Sequence, residues 1–174
     1  MLFIVEGPDG TGKTTLLKKL RKSLPFYTWF VASNSKPKST VDIVEYMEWL
    51  SMIPPNQPLF SDRFPPISES IYGPVLRNKN LSPFQTPELA DYLKKLNAVI
   101  IYCAPRSPTI KANLKKNPQR SGLKTHIETI IQKYDSQMTA FENEGIEVFP
   151  HNYEQEDMCI TPVAIKNIVR SLKR

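Results

Sequence analysis

Gly7, Gly12, Lys13 and Thr14 carry the spacing G-x-x-x-x-G-K-[ST], within the run Gly7-Pro8-Asp9-Gly10-Thr11-Gly12-Lys13-Thr14-Thr15. The residue types point to anion chemistry. Glycines reach backbone conformations closed to other residues, so several N–H groups of this loop can converge on one phosphate. A helix opening directly behind the loop adds the positive end of its dipole. The Lys13 ammonium is expected to reach the β- and γ-phosphates of a nucleoside triphosphate, and the Thr14 hydroxyl to bind Mg²⁺. The flanks fit this reading: the apolar run FIVE precedes the loop and TTLLKKL follows it.

A second constellation lies in Leu59-Phe60-Ser61-Asp62-Arg63-Phe64. An arginine at the carboxyl end of a strand faces the ligand crevice of a doubly wound sheet, and its planar fork can grip a phosphate through two hydrogen bonds. Asp62 could hold Mg²⁺-bound water or accept a proton. The same segment excludes other machines built on such loops. A motor ATPase ends this strand in Asp-Glu, whereas Arg63 follows Asp62 here, and the chain holds no Asn-Lys-x-Asp guanine reader of a GTPase. A third region, 106–120, carries five cations (Arg106, Lys111, Lys115, Lys116, Arg120) and no acid. Read as a lid over 106–124, its arginines Arg106 and Arg120 would stabilise charge spreading on a transferred phosphoryl group, with Lys111, Lys115, Lys116 and Lys124 as further candidates; read plainly, it is a solvated helix face.

The stretch EGPDGTGKTT together with the Asp62-Arg63-Phe64 motif resembles the thymidylate kinase family and related nucleoside-monophosphate kinases. The resemblance follows element order along most of the chain. It implies a P-loop kinase using ATP and Mg²⁺, with Asp9 reaching toward the acceptor sugar, Arg63 anchoring the acceptor, and Tyr72 touching its sugar or base. Asp9 as a turn-former and Tyr72 as simple packing stay open beside those roles. The resemblance also places the loop 150–153 beside the base of ATP and allows a homodimer. Between Thr14 and Asp62 the chain is shorter than typical members, so the base pocket must be cut back, with Tyr46, Trp49 and Phe64 as replacements or core residues. Ser68, Glu69 and Arg77 fall near the family's acceptor window, shifted by about one residue, with Pro65 and Pro66 interrupting it.

The functional expectation is transfer of the γ-phosphoryl of ATP to a deoxypyrimidine nucleotide. The alternative acceptor is the hydroxymethyl group of 5-hydroxymethyluracil within DNA, as in the viral branch of the family. A second alternative is a nucleotide-binding regulator or DNA-binding ATPase that transfers nothing. An anionic monophosphate needs no base, whereas an alcohol does, and Asp9 or Asp62 could serve.

These residues require elements to hold them. A chain of 174 residues, 40% hydrophobic, fits one α/β domain over 1–174. Strands are expected at 2–5, 26–32, 59–61, 98–103 and 147–149. Helices are expected at 13–23, 40–52, 68–76, 87–96, 124–144 and 161–172, with Ser39 or Thr40 as a cap and Gly145 ending the long helix. Alternation at this spacing implies a doubly wound parallel sheet of about five strands with helices on both faces. No stretch reaches the roughly 18 consecutive apolar residues of a membrane span. Cys103 and Cys159 form no disulfide framework or metal pattern, which suits a reducing cytoplasm, or a host cytoplasm for a viral protein. The net charge of +6 favours a polyanionic partner, whether nucleotide or nucleic acid.

Overall fold

The computed structural model describes residues 1–31, 37–54, 57–116 and 123–171. Five strands, β1 (Leu2–Glu6), β2 (Thr28–Val31), β3 (Leu59–Asp62), β4 (Ala98–Cys103) and β5 (Glu147–His151), pair in the order β2-β3-β1-β4-β5. Every pairing is parallel. The expected doubly wound sheet is what the chain forms. β1 and β4 are buried along their whole length, which is why they read as unbroken apolar runs.

Alternation along β1 splits the core into two layers. Leu2 and Ile4 face one side with Ala98, Ile100 and Tyr102 of β4, while Phe3 and Val5 face the other with Val99, Ile101 and Cys103. The second layer is closed by α1 (Lys13–Ser23) through Leu16 and Leu20 and by α7 (Pro162–Ser171) through Ile165 and Val169. The first layer is closed by α2 (Thr40–Ser51), α3 (Pro65–Arg77), α4 (Thr86–Lys95), α5 (Ser107–Lys116) and α6 (Leu123–Asn143).

Boundaries differ from expectation where turn chemistry was misread. α3 begins three residues before the expected 68, because Pro65 and Pro66 occupy its first turn, where a missing N–H leaves no hydrogen bond unmade. Ser39 does cap α2, accepting from the Asp42 N–H at 3.3 Å. Gly145 ends α6 with φ 81. In the expected lid, residues 107–116 form α5, which buries Ile110 and Leu114; Arg120 lies outside the described residues. Since β1 is central, with β2 and β3 on one flank and β4 and β5 on the other, the phosphate loop leaves the sheet where strand order reverses.

Candidate active site

The site grows from the end of the central strand. Glu6 closes β1 with no exposed surface, and its carboxylate accepts four hydrogen bonds: Gly7 N–H at 3.1 Å, Phe64 N–H at 2.6 Å, Ser68 Oγ at 3.1 Å and Tyr134 OH at 3.0 Å. One acid thereby ties the phosphate loop, the peptide after Arg63, α3 and α6 together. Gly7 has φ 139, and a Cβ there would stand 2.5 Å from the Cys103 carbonyl oxygen, so only glycine lets the loop cross β4 this closely.

Lys13, at the first position of α1, folds back into the loop. Its Nζ donates to the carbonyl oxygens of Gly7 at 2.8 Å and Pro8 at 2.5 Å. Burial lowers its pKa to about 8, and the nearby Arg63 charge acts in the same direction. Thr11 braces the turn by donating to the Pro8 carbonyl at 2.8 Å. Thr14 and Thr15 are exposed at the mouth of the loop.

Arg63 adopts φ 71, a left-handed conformation that costs a non-glycine residue on the order of 1–3 kcal/mol. Three hydrogen bonds hold it there: its own N–H to the Val5 carbonyl at 3.0 Å, Ser61 Oγ to its carbonyl at 2.6 Å, and the following Phe64 N–H to Glu6. The strained turn drives the guanidinium under the phosphate loop. Nη1 donates to the Gly7 carbonyl at 3.2 Å and to Tyr134 OH at 3.1 Å, Nη2 is paired with Asp9, and Glu6 stands 3.8 Å from Nη1. Burial works against its charge, but Tyr72, Tyr134, Asp9 and Glu6 together outweigh it and keep its pKa above the ordinary arginine value.

Tyr72 and Asp9 are built into this wall. The Asp9 N–H donates to Tyr72 OH at 2.9 Å, and the Arg63 guanidinium sits 5.3 Å from the centre of the Tyr72 ring. Burial pushes the Tyr72 phenol up to about 12. Of the other acceptor-side candidates, Phe64 is fully buried, Tyr46 bonds Ser61 at 3.1 Å, and Glu69 pairs with Arg77.

A cleft of about 950 Å³ opens beside the loop, and Lys13, Thr14, Asp62 and Arg63 all line it. Its far wall includes Asn113 and Tyr153. Asn113 on α5 donates to the Gly10 carbonyl and to Tyr153 OH, both at 2.9 Å. A Cβ on Gly12 would come within 2.9 Å of the Tyr153 ring, so that ring rests on the loop. Thr14 and Asp62 line the cleft with oxygen atoms of the kind Mg²⁺ prefers, and would hold the ion if it entered with nucleotide phosphates; among the described residues no three acids, histidines or cysteines group as a metal site. His151 also lines the cleft, and its Nδ1 accepts the Ile160 N–H at 3.1 Å. Burial, then the Lys19 charge, lower its pKa.

The structure thus brings Asp9, Lys13, Thr14, Asp62, Arg63 and Tyr72 together. It does not bring Arg106 there: that side chain is exposed and does not line the cleft. Lys111 pairs with Glu128, and Lys115, Lys116 and Lys124 face solvent.

Sequence reading passed over Glu6, Tyr134 and Asn113. For the first two a signal existed. An acid closing an apolar strand and a hydroxyl on a core stripe both need buried partners. Asn113 had none, because its contacts lie 103 and 40 residues away.

No family model matches the sequence, and no curated protein matches it. Solved structures do. The YorR protein of Bacillus subtilis, in complex with phosphorylated GDP, is 21% identical with a TM-score of 0.70, covering 99% of this chain and 96% of that one. Deoxyadenosine kinase from M. mycoides, with products dCMP and dCDP, is 18% identical with a TM-score of 0.62, covering 99% and 100%. Shikimate kinase from Acinetobacter baumannii, with shikimate, is 12% identical with a TM-score of 0.55, covering 99% and 93%. This is the fold of P-loop kinases. In that fold the loop 7–15 occupies the strand-to-helix turn, and the cleft lies off the carboxyl ends of β1 and β3.

Proposed function

We propose that the chain is an ATP- and Mg²⁺-dependent phosphotransferase whose acceptor is a deoxypyrimidine nucleotide. One observation carries this reading. Lys13 and Arg63 both donate to the carbonyl oxygen of Gly7, at 2.8 and 3.2 Å. Two cations this close repel each other; burial is the larger cause of the lowered Lys13 pKa, and the Arg63 charge adds to it. A phosphate entering between them relieves that repulsion, and each cation can exchange a carbonyl for a phosphate oxygen. A transferase needs a cation beyond the one that holds the donor, because a second anionic substrate must be held as well, and Arg63 meets that need.

In this arrangement the loop amides and Lys13 hold the β- and γ-phosphates, and Thr14 with Asp62 hold the metal, which would neutralise charge on the donor. Arg63 holds the acceptor, with Asp9 setting the orientation of the guanidinium. The acceptor oxygen attacks the γ-phosphorus in line as its bond to the bridging oxygen breaks, leaving ADP. Rate enhancement comes from positioning and from electrostatics in a partly dry cleft.

The test uses γ-labelled ATP with dTMP, hydroxymethyl-dUMP and hydroxymethyluracil-containing DNA as acceptors, for the wild type, Lys13→Ala and Arg63→Ala. Label on a free deoxynucleotide is expected, with Arg63→Ala losing transfer far more than ATP binding. Label on DNA alone would make the modified base the acceptor. Equal, small effects of Arg63→Ala on binding and transfer would leave a nucleotide-binding regulator as the reading.

A further inference from the structure

The charge of this molecule is divided between its two faces. α1 exposes Lys18, Lys19, Arg21 and Lys22, α7 exposes Lys166 and Arg170, and neither helix contains an aspartate or glutamate. Both helices pack on the same side of the sheet, through Leu16, Leu20, Ile165 and Val169. The helices on the other side carry the acids, among them Asp42, Glu88 and Glu128. Nine acids offset the eight cations of those helices, and three of the cations are paired: Arg77 with Glu69, Lys94 with Asp91, Lys111 with Glu128. None of the six on α1 and α7 has an ion pair among the described residues.

Helix chemistry explains part of this arrangement. Arg21, Lys22 and Arg170 lie in last turns, where a positive charge complements the helix dipole. Lys18, Lys19 and Lys166 gain nothing from it, and Lys18 with Lys22 forms a like-charged i,i+4 pair that destabilises a helix by about 0.2–0.5 kcal/mol. A second observation stands beside the charge. Phe26, in the turn leaving α1, is 97% exposed. A fully solvated phenyl ring four residues along the chain from the unpaired Lys22 offers the pairing used to bind single strands, where cations track the backbone and a ring stacks on a base. A membrane surface fits less well, since Val163 is the large apolar side chain that these two helices expose among the described residues.

We propose that the α1–α7 face docks single-stranded nucleic acid, with Lys18, Lys19, Arg21, Lys22, Lys166 and Arg170 neutralising phosphates and Phe26 stacking on a base. The face meets the cleft at Lys19, which lines it, but does not include Arg63, Asp9 or Tyr72, and the proposal does not depend on which acceptor those three take.

The test is fluorescence anisotropy of a labelled oligodeoxythymidylate against salt, from about 50 to about 200 mM. If all six cations engage, log K should fall with log salt at a slope of about −4, and each cation removed should lower that slope by about 0.7. The variant combining Lys18→Gln, Arg21→Gln, Lys22→Gln, Lys166→Gln and Arg170→Gln should therefore lose nearly all salt dependence. Phe26→Ala should weaken binding about 5- to 100-fold at an unchanged slope. Lys94→Gln combined with Lys95→Gln, on the opposite side, should leave binding as it is. All five changes in the cation variant are on exposed side chains, so a circular dichroism melt matching the wild type is expected to accompany them.

The proposal is overturned by absence of binding at the lowest salt. It is equally overturned if the α4 variant loses as much as the α1–α7 variant, if Phe26→Ala leaves affinity unchanged, or if the face binds phosphatidylglycerol vesicles and not the oligonucleotide.

Discussion

Removing the carboxylate of Glu6 should show how far the site depends on one buried acid. In Glu6→Leu the donors at Gly7 N, Phe64 N, Ser68 Oγ and Tyr134 OH lose their acceptor, and Arg63 loses a carboxylate 3.8 Å away. The two hydroxyls can rotate, but the two backbone N–H groups cannot move, and each buried orphan costs about 1–3 kcal/mol. Adding the loss of a buried charge partner, and allowing for overlap between these effects, the expected destabilisation is about 4–6 kcal/mol. Glu6→Gln has nearly the same shape. Its oxygen can keep Phe64 N and Ser68 Oγ, but its NH₂ meets the Gly7 N–H donor to donor, so about 1–3 kcal/mol is expected. Urea unfolding reads both values, with an unchanged m-value as the check that one two-state transition is being compared. The left-handed Arg63 is held partly through Glu6, so Glu6→Gln should also lower phosphotransfer more than nucleotide binding. A Glu6→Leu protein within 1 kcal/mol of the wild type, a bound taken against the roughly 5–15 kcal/mol total stability of a native domain, would refute the assignment of a central role to this acid.

Two further outcomes follow from the loop. Burial holds the native Lys13 pKa at about 8 against the ordinary 10.5, so the unfolded chain binds more protons between those values and the Lys13 contribution to stability should rise with pH across that window, by about 3 kcal/mol. Cys103 and Tyr72, both pushed up to about 12 by burial, act in the opposite direction, the thiol from about pH 9 and the phenol from about pH 10, because the unfolded chain loses each proton first. A stability maximum near pH 9 in urea unfolding is expected for the wild type, and Lys13→Met should abolish the rise that precedes it. Binding of ATP near pH 9 should take up a proton, read by calorimetry in buffers of differing ionisation heat. Gly12→Ala forces a side chain onto φ 86 and a Cβ to 2.9 Å from Tyr153; it should cost about 1–3 kcal/mol in urea unfolding, and adding Tyr153→Ala should recover the clash but not the backbone strain.

The phosphate loop, the Asp62-Arg63 pair and the strand–helix alternation were legible in the sequence because each is a local pattern with one physical solution. An apolar run of six residues, a glycine run before a helix and a period of 3.6 carry their structure in neighbouring letters. The same locality explains the errors. Pro65-Pro66 reads as a break, yet opens α3, since only the start of a helix tolerates such a pair.

Tertiary structure alone decided what Arg63 touches. That Lys13 and this guanidinium share the Gly7 carbonyl, that Glu6 and Tyr134 both contact the arginine, and that Asn113 fastens α5 to the loop are all consequences of which strands lie side by side. β1 lies between β3 and β4, so residues 6, 63 and 134 meet although they are far apart in the chain. The charge division is of the same kind: six cations are visible in the letters, but only the sheet places α1 and α7 on one face. Sequence set the chemistry available; the close approach of distant side chains, which no local pattern encodes, set where it is used.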